Sequence, residues 1–385
     1  MQDFGFCEQS HCYSLSANGQ QFVLRSQNPP NAFCLTTIGL KGSHLNTSSV
    51  SELATVAIIP RDSFSMTSQV VERVLECAKG PLNLVAVDCC MPRDVRRNLE
   101  TKSRQAGFTL LRANRYATPN QMRNAVLTHV KTKYVVYVDN DVLVTKGWLE
   151  ALVKCAEETQ AWIVGPLICE RLPEATYVHG YDGEMEIRKP DQASRVYHDL
   201  HFNAHVPLKD VQHSLKRQET QVVEFHAMLV AMEAIEKLGT FDAELANMYE
   251  YADMCLMVRN AGQRVMLEPT SIVTYFPPTR LDRQDRYFFE LRWGEAWTEL
   301  SKKRLSQKYD VTFDHPEAKC PHNFVRSMRM LAKPWLKRPR RFLGRDRLRK
   351  IERKWLVHID AVVNKARYPR DKFGKLQQVV FEIVR

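Results

Sequence analysis

An α/β fold, a mostly parallel sheet covered by helices on both faces, is predicted by three features of this 385-residue sequence. Between residues 54 and 168, short apolar runs alternate with stretches of helical periodicity. The runs "ATVAIIP", "LNLVAVD", "FTLLRA", "KYVVYVD" and "AWIVGPLI" are continuously apolar, as strands buried on both faces are. Two of them end in a carboxylate, Asp88 and Asp139, and such sheets collect ligands beyond the carboxyl ends of their strands.

The elements follow in order. Residues 1–50 are rich in Ser, Asn and Gln and form an N-terminal extension with two strand-like pieces, "QFVLRS" and "AFCLTTIGL"; "HLNTSSVSE" reads as a linker. The main α/β domain spans 51–280. Its first strand, 54–60, is closed by Pro60. Val70, Val71, Val74, Leu75 and Ala78 then recur at helical spacing, with Gly80 as the stop. Strand 82–88, a helix over 92–107 and strand 108–113 come next. "TPNQMRNAVLTHVKT" reads as a helix with Thr118 as N-cap and Pro119 at its first position. After strand 133–144 come a helix at 147–159 and a strand at 161–168. Residues 281–320 are expected to be a helical packing or acceptor-side segment, with one long aromatic-rich helix over 286–309. The tail, 321–385, reads as basic helices broken at Pro334, Pro339 and Pro369.

Composition narrows the class. A hydrophobic content of 44% with 26% charged residues is that of a globular chain. No run of about 18 apolar residues predicts a membrane span, and "MQDFGFCEQSHCYSL" lacks the basic-then-apolar order of a secretory signal. The ten cysteines follow no disulfide framework; Cys77, Cys155 and Cys255 fall at apolar helical positions and read as reduced thiols. The expectation is therefore a cytoplasmic protein. Its net charge of +11 sits in the tail: residues 321–385 carry +14 and the rest −3. Arguments about acidic partners belong to that tail alone.

The chemistry concentrates at "VDNDV". Asp139 and Asp141, spaced i, i+2 in extended chain, project on one side. Two neighbouring carboxylates repel unless a cation separates them. All-oxygen ligation suits Mg²⁺ or Mn²⁺ completed by phosphate oxygens and water. The competing reading is an ordinary Asp/Asn turn after a strand.

"ATVAIIP", "LNLVAVD", "NQMRNAVLTHVKTKYVVYVDNDVLVTKGWLEALV" and "EFHAMLVAMEAIEKLGTFDAELANMYEYADMCLMVRNAG", in that order and spacing, resemble the family-2 glycosyltransferases of the GT-A fold. The resemblance spans roughly residues 54–276 and is strongest in the D-x-D strand and the "G-x-F-D … D-x-C-L-x-x-R-x-A-G" block. It implies a Rossmann-like GT-A domain and an inverting transferase using a nucleotide-sugar donor. Carried over by position, Pro60 lies where the first strand meets the nucleotide, Asp88 contacts the nucleoside, and Arg123 approaches the nucleotide. Asp139 and Asp141 frame metal, ribose and diphosphate, with Asp141 the better ligand. The second partner is an acceptor hydroxyl, expected on a glycan or, as the basic tail suits, on a lipid-linked sugar.

The chain departs from the family pattern twice. The family's usual E-D-x-D-L reads Glu250-Tyr251-Ala252-Asp253-Met254 here, so a tyrosine, a poor base at neutral pH, stands at the base position. Glu250 is the expected base and Asp253 the second choice. At "SIVTYFPP", Tyr275 and Phe276 stand where many relatives carry a metal-binding histidine. His226 reads as a packed histidine. The histidines of "YHDLHFNAH" (His198, His201, His205) read as a polar loop or acceptor-side insertion, and Cys7, His11 and Cys12 as incidental.

The tail interleaves Arg/Lys with Trp335, Leu336, Phe342, Leu343, Leu348, Ile351, Trp355 and Leu356. That pattern fits helices packed on the domain or lying on an anionic membrane face, which would make the protein peripheral at the inner face of a membrane. A nucleic-acid patch ranks last, since no nucleic-acid module accompanies the charge. Against the transferase stand two rivals: a catalytically degenerate relative that binds nucleotide sugar or glycan, made plausible by Tyr251, and an adaptor acting through the tail.

Overall fold

The computed structural model describes residues 22–23, 50–78, 80–171, 174–180, 182–202, 204–278, 281–318, 321–333, 355–367 and 376–384. The strands are β1 (Ala54–Ile59), β2 (Asn83–Asp88), β3 (Thr109–Ala113), β4 (Tyr134–Asp139), β5 (Val142–Val144) and β6 (Ile163–Glu170). They continue with β7 (Tyr177–Gly180), β8 (Gly183–Arg188), β9 (Val196–Phe202), β10 (Ala227–Ala231), β11 (Val265–Tyr275) and β12 (Phe381–Ile383). The helices used below are α1 (Thr67–Cys77), α2 (Arg93–Ala106), α3 (Pro119–Leu127), α4 (Trp148–Thr159), α5 (Met232–Leu238) and α6 (Glu250–Asn260), then α7 (Arg286–Arg292), α8 (Glu295–Tyr309), α9 (His322–Arg329) and α10 (Val357–Arg367).

Eight strands run through the main sheet in the order β11-β6-β10-β4-β1-β2-β3-β12, while β8 and β9 pair in a separate sheet. β1 pairs in parallel with both β2 and β4, β2 with β3, and β11 with β6. All six residues of β1 and of β4 are buried, as their unbroken apolar runs require. α1, α2, α3 and α4 bury apolar faces on this sheet; in α4 these include Trp148, Leu152 and Cys155. Thr118 and Gln121 cap α3 reciprocally, which fixes where that helix leaves the sheet's edge.

One strand runs the other way. β10 is antiparallel to β4 and β6 and lies between them, with Ala227 opposite Val138. An antiparallel strand begins where its parallel neighbours end, so β10 delivers its leading residues to the ligand-binding edge. β5 is likewise antiparallel to β11, placing Tyr275 opposite Val142. Glu170 at the end of β6 is in register with Tyr275.

The expected long helix over 286–309 is two helices, broken at Trp293-Gly294. A side chain at Gly294 would meet the carbonyls of Leu291 at 2.8 Å and Glu290 at 3.1 Å. Asn364 of α10 accepts a hydrogen bond from the Glu295 N–H at 3.0 Å and so caps the second helix. A small second core of Leu281, Phe289, Trp293, Val325, Met328 and Ala332 spans 281–332, so the division placed between 320 and 321 runs through it. The 170–222 insertion supplies β7, β8 and β9. Phe22–Val23, within "QFVLRS", pairs in parallel with β9; "AFCLTTIGL" lies outside the described residues.

Candidate active site at the carboxyl ends of the strands

Asn140 builds the turn that sets the two carboxylates. Its backbone N–H donates to the Ile59 carbonyl at 3.0 Å, and its Oδ1 accepts from the Arg61 N–H at 2.9 Å. Its Nδ2 donates to the Ser63 carbonyl at 2.6 Å and to Thr67 Oγ1 at 2.8 Å. The middle residue of "DND" thus ties β4 to the loop that follows β1 at the buried Pro60. A continuous apolar strand can end in three polar residues because each has a task at the strand's end.

Asp139 and Asp141 are both buried, at 2% and 1% exposure. Arg61 Nη1 donates to Asp139 Oδ2 at 2.8 Å, and Arg123 Nη2 stands 3.8 Å from Oδ1. Arg123 donates to Asn120 Oδ1 at 2.9 Å and lies over the Phe225 ring; burial lowers its pKa to about 10, against the pull of Asp139. Both oxygens of Asp141 are buried without a hydrogen-bond partner. Burial, and then the charge of Asp139, push its carboxyl well above the ordinary range. Asp139 is raised too, by burial, with Arg61 and Arg123 opposing.

His226, one residue ahead of β10, completes this cluster. Its carbonyl accepts from the Asp139 N–H at 3.1 Å, and its Nδ1 is 3.6 Å from Asp139 Oδ2 and 2.7 Å from Arg61 Nη1. Tyr275 covers the ring at 4.0 Å between centroids. Burial, then the nearby Arg61, hold the imidazole well below its usual pKa, hence neutral and able to ligate. One ligand atom from each of Asp139, Asp141 and His226 lies within 4.8 Å of the others. An orphaned carboxylate beside a second carboxylate and a neutral imidazole suits a divalent cation of the Mn²⁺ or Mg²⁺ kind. His226 therefore stands where the expected histidine at Tyr275–Phe276 was missing, reached from a different strand.

The remaining residues divide. Glu250 opens α6, is 5% exposed, and its Oε1 is 3.5 Å from Arg292 Nη2. Arg292 also faces Asp62, which accepts from Trp293 Nε1, so α7 is tied to the loop after β1. The charge of Glu250, like that of Asp139, favours the protonated Arg123 guanidinium against its burial. Asp253, one turn on, is 2.7 Å from Lys308 Nζ and accepts from Tyr309 OH at 2.7 Å; its contacts are with α8. Tyr251 donates to Asp199 Oδ2 at 2.8 Å, and burial, then Asp199, push its hydroxyl well above its usual pKa. Asp88 is fully buried: it accepts from the Met91 N–H at 2.8 Å and Arg112 Nε at 2.8 Å, with Arg96 at 3.3 Å.

Sequence reading missed Arg61, Asp199 and Glu170. Arg61 follows Pro60 directly, and that adjacency was the available signal. Asp199 and the histidines around it come from the 170–222 insertion, where no local pattern marks what a side chain will meet. Of "YHDLHFNAH", His201 Nε2 is 3.0 Å from Asp199, and His205 Nδ1 donates to Glu170 Oε1 at 2.6 Å.

Residues 65–227 match the family model described as glycosyl transferase family 2, which meets the resemblance read from the sequence. Over 163 residues, 42% of this chain, the sequence is 26% identical to the pre-mycofactocin glycosyltransferase of two Mycobacterium tuberculosis strains, CDC 1551 / Oshkosh and ATCC 25618 / H37Rv. The match spans 31% of the length of these curated relatives. Among solved structures, GalNAc-T7 with UDP, GalNAc and Mn²⁺ aligns at a TM-score of 0.47 and 14% identity, over 82% of this chain and 58% of the other. The mannosyltransferase PcManGT from Pyrobaculum calidifontis, with GDP-Man and Mn²⁺, aligns at 0.43 and 14%, over 83% and 87%.

Proposed function

We propose that the chain is an inverting glycosyltransferase, moving a sugar from a nucleoside-diphosphate-sugar to an acceptor hydroxyl with Mg²⁺ or Mn²⁺. The observation that carries this reading is the buried Asp139–Asp141–His226 cluster, with its partnerless Asp141 oxygens, inside a segment matching glycosyl transferase family 2.

In this reading Asp139, Asp141 and His226 hold the cation, which when bound neutralises negative charge on the departing nucleoside diphosphate. Arg61 and Arg123 face the phosphates from the Pro60 turn and from α3; while Asp139 is unligated, Arg61 pairs with it. Asp88 serves the nucleoside end, holding Arg96 and Arg112 in place. Glu250 takes the acceptor hydroxyl's proton, and Arg292 orients its carboxylate. Tyr251 is not the base, since its hydroxyl is the donor in a hydrogen bond to Asp199. Asp253 acts in packing α8 on α6.

The acceptor is proposed to be a glycan or lipid-linked sugar of cell-surface glycan synthesis, met at the cytoplasmic, inner face of a membrane. Supporting this, α10 exposes Ile359 (58%), Val362 (70%) and Val363 (53%) within the basic tail. No described helix is long and apolar enough to cross a membrane.

The test is donor binding and turnover across a panel of nucleotide sugars, with and without Mn²⁺ or Mg²⁺, on wild type, Asp141→Ala, Glu250→Gln and Tyr251→Phe. Cation-dependent turnover should be abolished by Asp141→Ala and fall about 10²–10⁴-fold in Glu250→Gln. In Tyr251→Phe it should persist within about tenfold of wild type, a change of about 1.4 kcal/mol in barrier. A Tyr251→Phe variant as dead as Glu250→Gln would refute the assignment of the base. Donor binding without turnover in wild type, with acceptor extracts supplied, would select the degenerate relative that Tyr251 suggests.

A further inference from the structure

Beside the Asp139–Asp141 pair lies a second cluster, which shares His226 with it and whose other members the proposed transfer leaves without a role. Glu170, at the end of β6 and 5% exposed, accepts from Nδ1 of His179 at 3.1 Å and from Nδ1 of His205 at 2.6 Å. Burial alone would raise the Glu170 carboxyl, but these two hydrogen bonds hold it well below its ordinary range. With Nδ1 of His179 committed as a donor, its Nε2 faces Glu224 Oε2 at 3.6 Å. His226 Nε2 stands 3.8 Å from the same carboxylate oxygen. His179 and His226 are 9% and 1% exposed, and the Glu224 side chain is 15% exposed.

We infer that His179 Nε2, Glu224 and His226 Nε2 form a second divalent-cation site, distinct from the D-x-D pair and selective for Zn²⁺ over Mg²⁺. The ligand atoms lie within 4.8 Å of one another. Around a tetrahedral ion with bonds of about 2.0–2.1 Å, ligand atoms stand about 3.3–3.5 Å apart; the Glu224 oxygen, 3.6 and 3.8 Å from the two imidazole nitrogens, reaches that spacing with a contraction of a few tenths of an ångström. Two imidazoles with one carboxylate, and a fourth position open, make a set that zinc accepts and Mg²⁺, which wants oxygen, does not. Glu170 behind His179 is the carboxylate that fixes a ligating ring's tautomer and orientation. His226 links the two sites: Nε2 faces Glu224, with Arg61 Nη1 at 3.2 Å to be displaced by the ion, and Nδ1 faces Asp139.

The rival reading is a histidine–carboxylate hydrogen-bond network that binds no ion. The site holds or fails independently of sugar transfer, because its readout is metal and not product. Full-length protein stripped with chelator is titrated with ZnCl₂ by calorimetry, and bound zinc is counted by plasma mass spectrometry after gel filtration. Co²⁺ serves as an absorbance reporter of tetrahedral ligation. Wild type should retain zinc; His179→Ala and Glu224→Gln should lose it, and Glu170→Gln should weaken it by about 10–100-fold. Asp141→Asn should keep it. Glu224→Gln, isosteric and at the most exposed of the three ligands, keeps the test decisive if His179→Ala folds poorly. The inference fails if wild type retains no zinc, if both ligand variants bind as wild type does, or if zinc is lost in Asp141→Asn and kept in Glu224→Gln. That last pattern would assign the ion to the D-x-D pair.

Discussion

Asp141 is the residue whose environment makes sense only with a cation beside it. Its two buried oxygens have no donor, and a buried polar group left unmade costs about 1–3 kcal/mol, more when charged. Asp141→Asn should therefore raise Tm in the presence of chelator, because the replacement carries no charge. Saturating Mn²⁺ should raise the Tm of the wild type and leave the variant nearly unmoved. Differential scanning fluorimetry reads both, and a variant stabilised by Mn²⁺ as much as wild type would remove Asp141 from the ligand set. Asn140 makes the complementary case. Its amide joins β4 to Ser63 and Thr67, so Asn140→Ala should cost about 1–3 kcal/mol in urea unfolding. An unchanged midpoint would mean the loop holds itself. Both acids were legible in the sequence, since polar residues closing a buried strand stand out against its apolar run. Arg61 was marked only by its adjacency to Pro60 and Asp199 by nothing local, because no neighbourhood in the chain says which distant carboxylate or tyrosine a side chain will meet.

The elements show where periodicity informs and where it stops. The parallel core β3-β2-β1-β4 was readable, since each strand is a short apolar run with a helix after it. β10 was not readable as a reversed strand: "AMLVA" carries no mark of direction, and its pairing with β4 and β6 is a tertiary fact. That reversal is why His226, readable only as a packed residue, arrives beside Asp139. The break at Gly294 was equally hidden, because the residue that caps α8 is Asn364, far along the chain. Beside that cap sits Glu295, fully buried, held by Arg326 at 3.0 and 3.1 Å, by Arg329 at 2.7 Å, and facing His322 at 3.3 Å. Burial would raise its carboxyl, but His322, Arg326 and Arg329 hold it well below its ordinary range. A carboxyl depressed in the folded state adds stability that is complete above its unfolded pKa of about 4.3 and drains away as pH falls towards the folded value. Removing one partner of such a buried set costs about 3–5 kcal/mol, so Glu295→Gln should lower unfolding free energy by that amount at pH 7. The difference between variant and wild type should shrink as pH drops below about 4. A pH-independent difference would show that packing, and not charge, holds α9 on α8.

At the scale of the whole molecule, charge and exposed apolar surface gather on the same segment. Residues 321–385 carry +14 while the remainder carries −3, and α10 belongs to that segment. The arrangement of α10 is two-sided. Asp360 and Asn364 face inward, Asp360 accepting from the fully buried Arg329 Nε at 2.6 Å. Ile359, Val362 and Val363 face out, and Trp355 just ahead of the helix is 60% exposed. A buried ion pair is a costly way to anchor a helix unless its orientation matters. Here the orientation presents apolar residues flanked by basic chain, the combination that lies on an anionic bilayer and gains about 1 kcal/mol for each Lys or Arg near the surface. Residues 334–354, with their basic and aromatic side chains, lie outside the described residues. Full-length protein should co-sediment with phosphatidylserine-containing vesicles, stay free of pure phosphatidylcholine vesicles, and dissociate in high salt, which screens exposed charge. Ile359→Glu with Val362→Glu should weaken vesicle binding while leaving Tm and donor binding unchanged, since neither residue packs inward. Binding that survives both substitutions but not salt would reduce the tail to a purely electrostatic tether. Binding to neither vesicle would leave α10 as a packing helix only, and would remove the reason for placing the acceptor at a membrane.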